Sequence, residues 1–126
     1  MKILGIDDNV DITELLSMTL TAMGHEFSFT NSGKEGIKLI CEKKHDAVLL
    51  DLAMPTFSGF DVLRELETIG NLADYNIILF TASSISDTEI NEFIEKGVRG
   101  IIRKPIEVNH LEKEITKLVS WVMISH

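Results

Sequence analysis

Three aspartates, a threonine and a lysine stand where four short apolar runs end. Ile3-Leu4-Gly5-Ile6 runs into Asp7-Asp8, Ala47-Val48-Leu49-Leu50 into Asp51, Ile77-Ile78-Leu79-Phe80 into Thr81, and Val98 to Ile102 into Arg103-Lys104-Pro105. If these runs are parallel strands of one sheet, their carboxyl ends share one edge, where open α/β sheets bind ligands. Three carboxylates gathered there repel one another. Two charges about 5 Å apart, at an effective dielectric of about 20, interact by roughly 3 kcal/mol. Such a cluster needs cations. Lys104 supplies one charge, and a hard divalent ion with oxygen ligands would supply the rest. Mg²⁺ suits one or two carboxylates together with waters and a phosphate oxygen. Ion and ammonium would also neutralise an incoming phosphoryl group. Asp51 would then be its nucleophile, forming an acyl phosphate, and Thr81 would hydrogen-bond a phosphate oxygen. Taken singly, each residue has an ordinary role: an Asp after a strand caps or turns the chain, a Thr begins a turn, and a Lys sits in solvent. The set of four strand ends is what points to chemistry.

The elements that must position these residues follow from periodicity. Ala47 to Leu50 is a continuous apolar run bounded by Asp46 and Pro55, as a strand buried on both faces would be. Pro55 cannot continue a sheet. Ile3 to Ile6 reads as the first strand, with Asn9 or Asp11 capping a helix through Ile12, Leu15, Leu16, Leu20 and Met23. Gly24 ends that helix, where a left-handed residue is wanted. Phe27-Ser28-Phe29 alternates like an edge strand, and Asn31-Ser32-Gly33 turns into a second helix through Gly36, Ile37, Ile40 and Cys41. Cys41 is expected in the core. Lys43-Lys44 are placed at that helix's end, where the dipole favours cations. Phe60, Leu63, Leu66 and Ile69 make a third helical stripe, broken by Gly70-Asn71. Ser86 or Asp87 caps a fourth helix carrying Ile90, Phe93 and Ile94, closed by Gly97. Leu111, Ile115, Leu118 and Val122 mark the last helix. Strand and helix alternate five times, which predicts an α/β domain with a parallel sheet, right-handed crossovers and helices on both faces.

Composition narrows the function classes. At 126 residues, 44% hydrophobic and 25% charged, the chain is sized for one globular domain. A net charge of −8 argues against direct nucleic-acid or membrane-surface binding and favours a basic protein partner. The single cysteine cannot form an internal disulfide, which points to a reducing compartment. Two early acids exclude a signal peptide at Met1, and no apolar run spans a bilayer. The expected location is the cytoplasm. The histidines (His25, His45, His110, His126) show no ligand spacing and are expected at the surface. Trp121-Val122-Met123-Ile124 reads as the finish of the last helix in preference to a contact with a second subunit, which leaves a homodimer open.

The ordered set of Asp7-Asp8, Asp51-Leu52-Ala53-Met54-Pro55 with Gly59 beyond it, Thr81-Ala82 and Lys104-Pro105 resembles the receiver domains of two-component response regulators. The resemblance covers residues 1 to about 120; residues 121–126 are the end of the last helix or a tail. It implies a flavodoxin-like, doubly wound five-stranded parallel sheet in the order 2-1-3-4-5. It implies that Asp51 accepts a phosphoryl group from a histidine kinase or phosphotransfer protein. Asp8, Asp51 and the backbone carbonyl of Ala53 would ligate Mg²⁺, with Asp7 assisting through water. Lys104 would pair with the phosphoryl group and Thr81 would move to bond it, shifting the surface of the fourth helix and fifth strand that an unidentified downstream protein reads. Such a domain catalyses only its own phosphorylation and dephosphorylation. One position departs from the pattern: the family often has an aromatic residue three before the lysine, and here that residue is Ile101. Phosphoryl lifetime in the family is tuned at the positions of Ala53 and Ser83.

Two other classes compete. An Mg²⁺-dependent phosphohydrolase working through an aspartyl phosphate commonly has a second Asp two residues after the nucleophile, where this chain has Ala53. A flavin or nucleotide carrier needs a glycine- or hydroxyl-rich loop after the first strand, and this loop is acidic. The sequence reads equally as a complete single-domain regulator or as a fragment of a longer one.

Overall fold

A computed structural model describes residues 1–82 and 85–125. The elements run β1 (Lys2–Ile6), α1 (Val10–Ala22), β2 (Glu26–Thr30), α2 (Gly33–Cys41), β3 (Ala47–Asp51), α3 (Gly59–Ile69), a 3₁₀ turn (Leu72–Tyr75), β4 (Ile77–Thr81), α4 (Asp87–Glu95), β5 (Gly100–Arg103) and α5 (Val108–Ser125). The five strands form one sheet in the order β2-β1-β3-β4-β5, and all four pairings are parallel.

Parallel sheets need cover on both faces, and the side-chain alternation of the strands provides for it. Leu4, Ile6, Val48, Leu50, Ile77 and Leu79 point to one face, where Ile37 and Ile40 of α2, Val62, Leu63 and Leu66 of α3 and Phe93 of α4 cover them. Ile3, Ala47, Leu49, Ile78, Phe80 and Ile102 point to the other, under Leu16 and Leu20 of α1 and Leu111, Ile115 and Leu118 of α5. Each fully buried Leu, Ile or Phe contributes about 1.5–3 kcal/mol relative to exposure. This burial holds the carboxyl ends of β1, β3, β4 and β5 side by side.

Helix starts are fixed by polar caps. Asn9 accepts from the amides of Asp11 and Ile12, Ser32 from Glu35 and Ser86 from Glu89. Ser58 and Asp61 bond reciprocally at the start of α3. Gly24, with φ +89°, makes the left-handed exit from α1.

The structure differs from the sequence expectations at element ends. Cys41 is exposed, not in the core. It is the last residue of α2 and lies about 100° round the axis from buried Ile40. Ile69 and Ile94 continue their stripes in sequence but are also exposed, although Leu66 and Phe93 of the same final turns are buried. Phe60 is half-buried and packs on Phe93, with ring centroids 5.8 Å apart. Lys43 and Lys44 lie beyond α2, whose last-turn cation is Lys38. The fifth strand begins at Gly100, not Val98; Val98 is buried in the preceding turn, its amide on the Phe93 carbonyl. His110 is exposed, whereas His25 and His45 are half-buried, bonded to the N-terminal amine and to Ser28. His126 and Ser83 lie outside the described residues.

Candidate functional site

Asp7 is the first residue past β1 and is fully buried. The turn that follows fixes it: its Oδ1 accepts the Asn9 amide at 2.9 Å. Its own amide donates to the Thr30 carbonyl at 3.2 Å, and its carbonyl accepts the Asn31 side-chain amide at 2.6 Å. The end of β2 therefore anchors the acidic turn after β1. Asp8 is exposed, with its carboxylate turned into the same group. Asp7, Asp8 and Asp51 each offer one oxygen, and these oxygens lie within 4.8 Å of one another.

Asp51, the last residue of β3, is only 1% exposed. Its two oxygens differ. Oδ1 accepts the Ala53 amide at 3.1 Å and pairs with Lys104 Nζ at 3.1 Å. Oδ2 is buried and has no hydrogen-bond partner among the described residues. Burial first, and then the charge of Asp7, push the Asp51 carboxyl up to about 6; Lys104 and the Ala53 amide pull the other way.

Lys104 Nζ lies 3.1 Å from Asp51 and 3.4 Å from Asp7. Its backbone amide donates to the Thr81 carbonyl at 2.8 Å, so the lysine is placed by the end of β4. Thr81 is buried, and its hydroxyl donates to the Ala82 carbonyl at 3.1 Å rather than to the acids. Ala53 is exposed, and the group it turns on Asp51 is its amide. Ile101 is half-buried and packs on the face covered by α2, α3 and α4.

The structure thus brings Asp7, Asp8, Asp51 and Lys104 into one group, with Thr81 on the adjoining strand end. Sequence reasoning missed Asn31. The only signal for it is the parallel register, which pairs Ile6 with Thr30 and so sets residue 31 beside residue 7. Cavity size does not mark this place. A concavity of about 510 Å³, lined by Ile40, Val48, Tyr75 and Asn76 among others, opens at the opposite edge of the sheet.

One ammonium cannot balance three carboxylates, and one buried carboxylate oxygen has no partner among the described residues. The donors are all hard oxygens, and Asp8 keeps the group open to water. That combination fits a small hard divalent cation retaining some of its waters. It does not fit a thiolate- or imidazole-seeking metal.

Residues 3–116 match the family described as response regulator receiver domain. Transcriptional regulatory protein AfsQ1 of Streptomyces coelicolor is 32% identical over 114 residues, which are 90% of this chain and 49% of that protein. Response regulator MprA of Mycobacterium leprae is 29% identical over 120 residues, covering 94% of this chain and 51% of its own. The chain spans about half the length of these curated relatives. A solved response regulator receiver domain protein from Clostridium thermocellum superposes with a TM-score of 0.84 at 29% identity, over 99% of this chain and 98% of that one. No helix among the described residues is long and apolar enough to cross a membrane. Sheet order, acid cluster and family match agree, and the chain belongs to the response regulator receiver domain family of two-component signalling.

Proposed function

We propose that Asp51 is the phosphoryl acceptor of this receiver, charged by a histidine kinase or phosphotransfer protein in a Mg²⁺-dependent reaction. The observation that carries the reading is the buried Asp51 carboxylate, held on one oxygen by Lys104 and Ala53 and left unpartnered on the other, beside two further acids. Asp8, Asp51 and the Ala53 carbonyl would hold the ion, with Asp7 behind them. When bound, Mg²⁺ supplies positive charge to the phosphoryl oxygens. An Asp51 oxygen attacks phosphorus, an O–P bond forms, and the P–N bond to the donor imidazole breaks. The imidazole leaves and takes a proton from water. Lys104 then has a phosphoryl oxygen to pair with in place of Asp7. Thr81, at the end of the adjoining strand, would turn its hydroxyl from the Ala82 carbonyl to the same group.

The domain transforms no substrate other than itself: uptake and water-driven loss of its own phosphoryl group are its only reactions. The proposed location is the cytoplasm, where a kinase donor and a downstream protein reader would both meet it. The test is incubation of the chain with acetyl phosphate and Mg²⁺, followed by intact mass measurement. One added phosphoryl group, absent in Asp51→Asn, is expected. No gain in wild type, or an equal gain in the variant, overturns the assignment.

Thr81→Ala separates chemistry from readout. Among the described residues the hydroxyl bonds the Ala82 carbonyl alone, so the variant loses about 1 kcal/mol or less of stability. Phosphoryl uptake persists within roughly tenfold. The change in hydrogen exchange around Ile85 and α4 that follows phosphorylation in wild type is lost. An undiminished change in the variant would remove Thr81 from the readout.

A further inference from the structure

Arg103 is the neighbour of Lys104 and lies opposite Thr81 in the β4–β5 register. Its Nη1 donates to the Ile85 carbonyl at 3.3 Å, and its Nη2 bonds the Asp87 carboxylate. Both partners belong to the connection from β4 into α4. The bonds continue inward. The Ile85 amide donates to the Ala82 carbonyl at 3.2 Å, and that same oxygen accepts the Thr81 hydroxyl. A chain of polar contacts therefore runs from the Arg103 guanidinium, through Ile85 and Ala82, to the Thr81 hydroxyl at the end of β4, the strand next to β3. At the carboxyl end of β5, Lys104 reaches the acids while its neighbour Arg103 reaches Ile85 and Asp87.

We propose that Arg103 is a positioning residue that latches the β4–α4 connection in the unphosphorylated state and makes its release the signal. The inference rests on the acceptor reading of Asp51. When Thr81 gives its hydroxyl to the phosphoryl group, the Ala82 carbonyl loses one of its two donors. Released from Thr81, Ala82 carries Ile85 away from Arg103 through the amide bonded to its carbonyl, and Asp87 and the start of α4 become free to meet a partner. The coupling is a two-state element biased from the site, not a wire of rigid parts.

Hydrogen exchange on the full chain tests it in wild type, Arg103→Ala and Asp87→Ala. Without phosphodonor, both variants are expected to exchange the Ile85 amide and the first turn of α4 at least about fivefold faster than wild type, with α1 and α5 unchanged. With acetyl phosphate and Mg²⁺, wild type speeds up at the same amides and the variants show little further change. Both variants also take up the phosphoryl group faster, a gain that loss of a purely structural contact would not give. Exchange equal to wild type in both variants, or a full phosphorylation response in both, overturns the latch. Should Arg103→Ala fail to fold, Asp87→Ala decides alone, since the Asp87 side chain is 85% exposed. A wild type that takes up no phosphoryl group overturns the acceptor reading instead, and the exchange comparison without donor still decides whether the latch exists.

Discussion

Asp51→Asn is expected to abolish phosphoryl uptake and, in magnesium-free buffer, to make the protein more stable than wild type above about pH 6. Uptake disappears because an amide is no nucleophile toward phosphorus. The stability gain follows from the raised carboxyl. Its folded value of about 6 lies above the ordinary 3.8. Between those values the native state binds the proton more tightly than the unfolded chain. The favourable contribution of this group is therefore complete below about pH 4 and lost as pH rises through about 6. Asparagine carries no such charge. The stability difference between variant and wild type should be small near pH 4 and reach on the order of 2–3 kcal/mol at neutral pH. Mg²⁺ should close the gap by raising the wild-type midpoint far more than the variant's. Urea denaturation at several pH values, with and without Mg²⁺, measures this. A difference that does not change with pH would mean that Asp51 carries no destabilising charge in the fold.

Gly59→Ala should damage both fold and chemistry. A Cβ on Gly59 would stand 2.2 Å from the Asp51 carbonyl oxygen and 2.6 Å from Leu52 Cα. Both are backbone atoms, so no side chain can turn aside. The start of α3 is held there from both sides, by the Gly59 amide on the Leu52 carbonyl at 3.1 Å and by the Ser58–Asp61 capping pair. The helix must move off the end of β3, at a cost of roughly 3 kcal/mol or more. Asp51 belongs to the segment that is pushed. A misplacement of about 1 Å at a reacting group lowers its rate by about a hundredfold. The urea midpoint and the initial rate of uptake from acetyl phosphate check the two effects. A normal rate in a destabilised variant would show that Asp51 is positioned independently of α3.

The parts of this molecule written in continuous apolar runs were legible in the sequence. Ala47 to Leu50 and Ile77 to Phe80 suit strands buried on both faces better than helices, because they are short and bounded by polar residues and turn signals, and the structure has both as strands. The strand order came from the resemblance, since alternation of strand and helix alone allows several orders. Helix rims misled. Cys41 lies off the buried stripe of α2, and Ile69 and Ile94 keep the period of theirs yet are exposed; periodicity carries no information about which neighbour is there to cover a residue. Asn31 and Arg103 were invisible for a different reason. Each acts through a partner brought near by register, Asn31 on Asp7 and Arg103 on Ile85 and Asp87, and neither stands in any local pattern.

Lys104 meets Asp7 across 97 residues of chain. A domain of this kind folds as a unit, so the counter-charge of Lys104 reaches the acids only when β5 has docked on β4. A nascent or truncated polypeptide that stops before β5 keeps its three carboxylates without that ammonium, and their mutual repulsion weighs against closing the sheet around them.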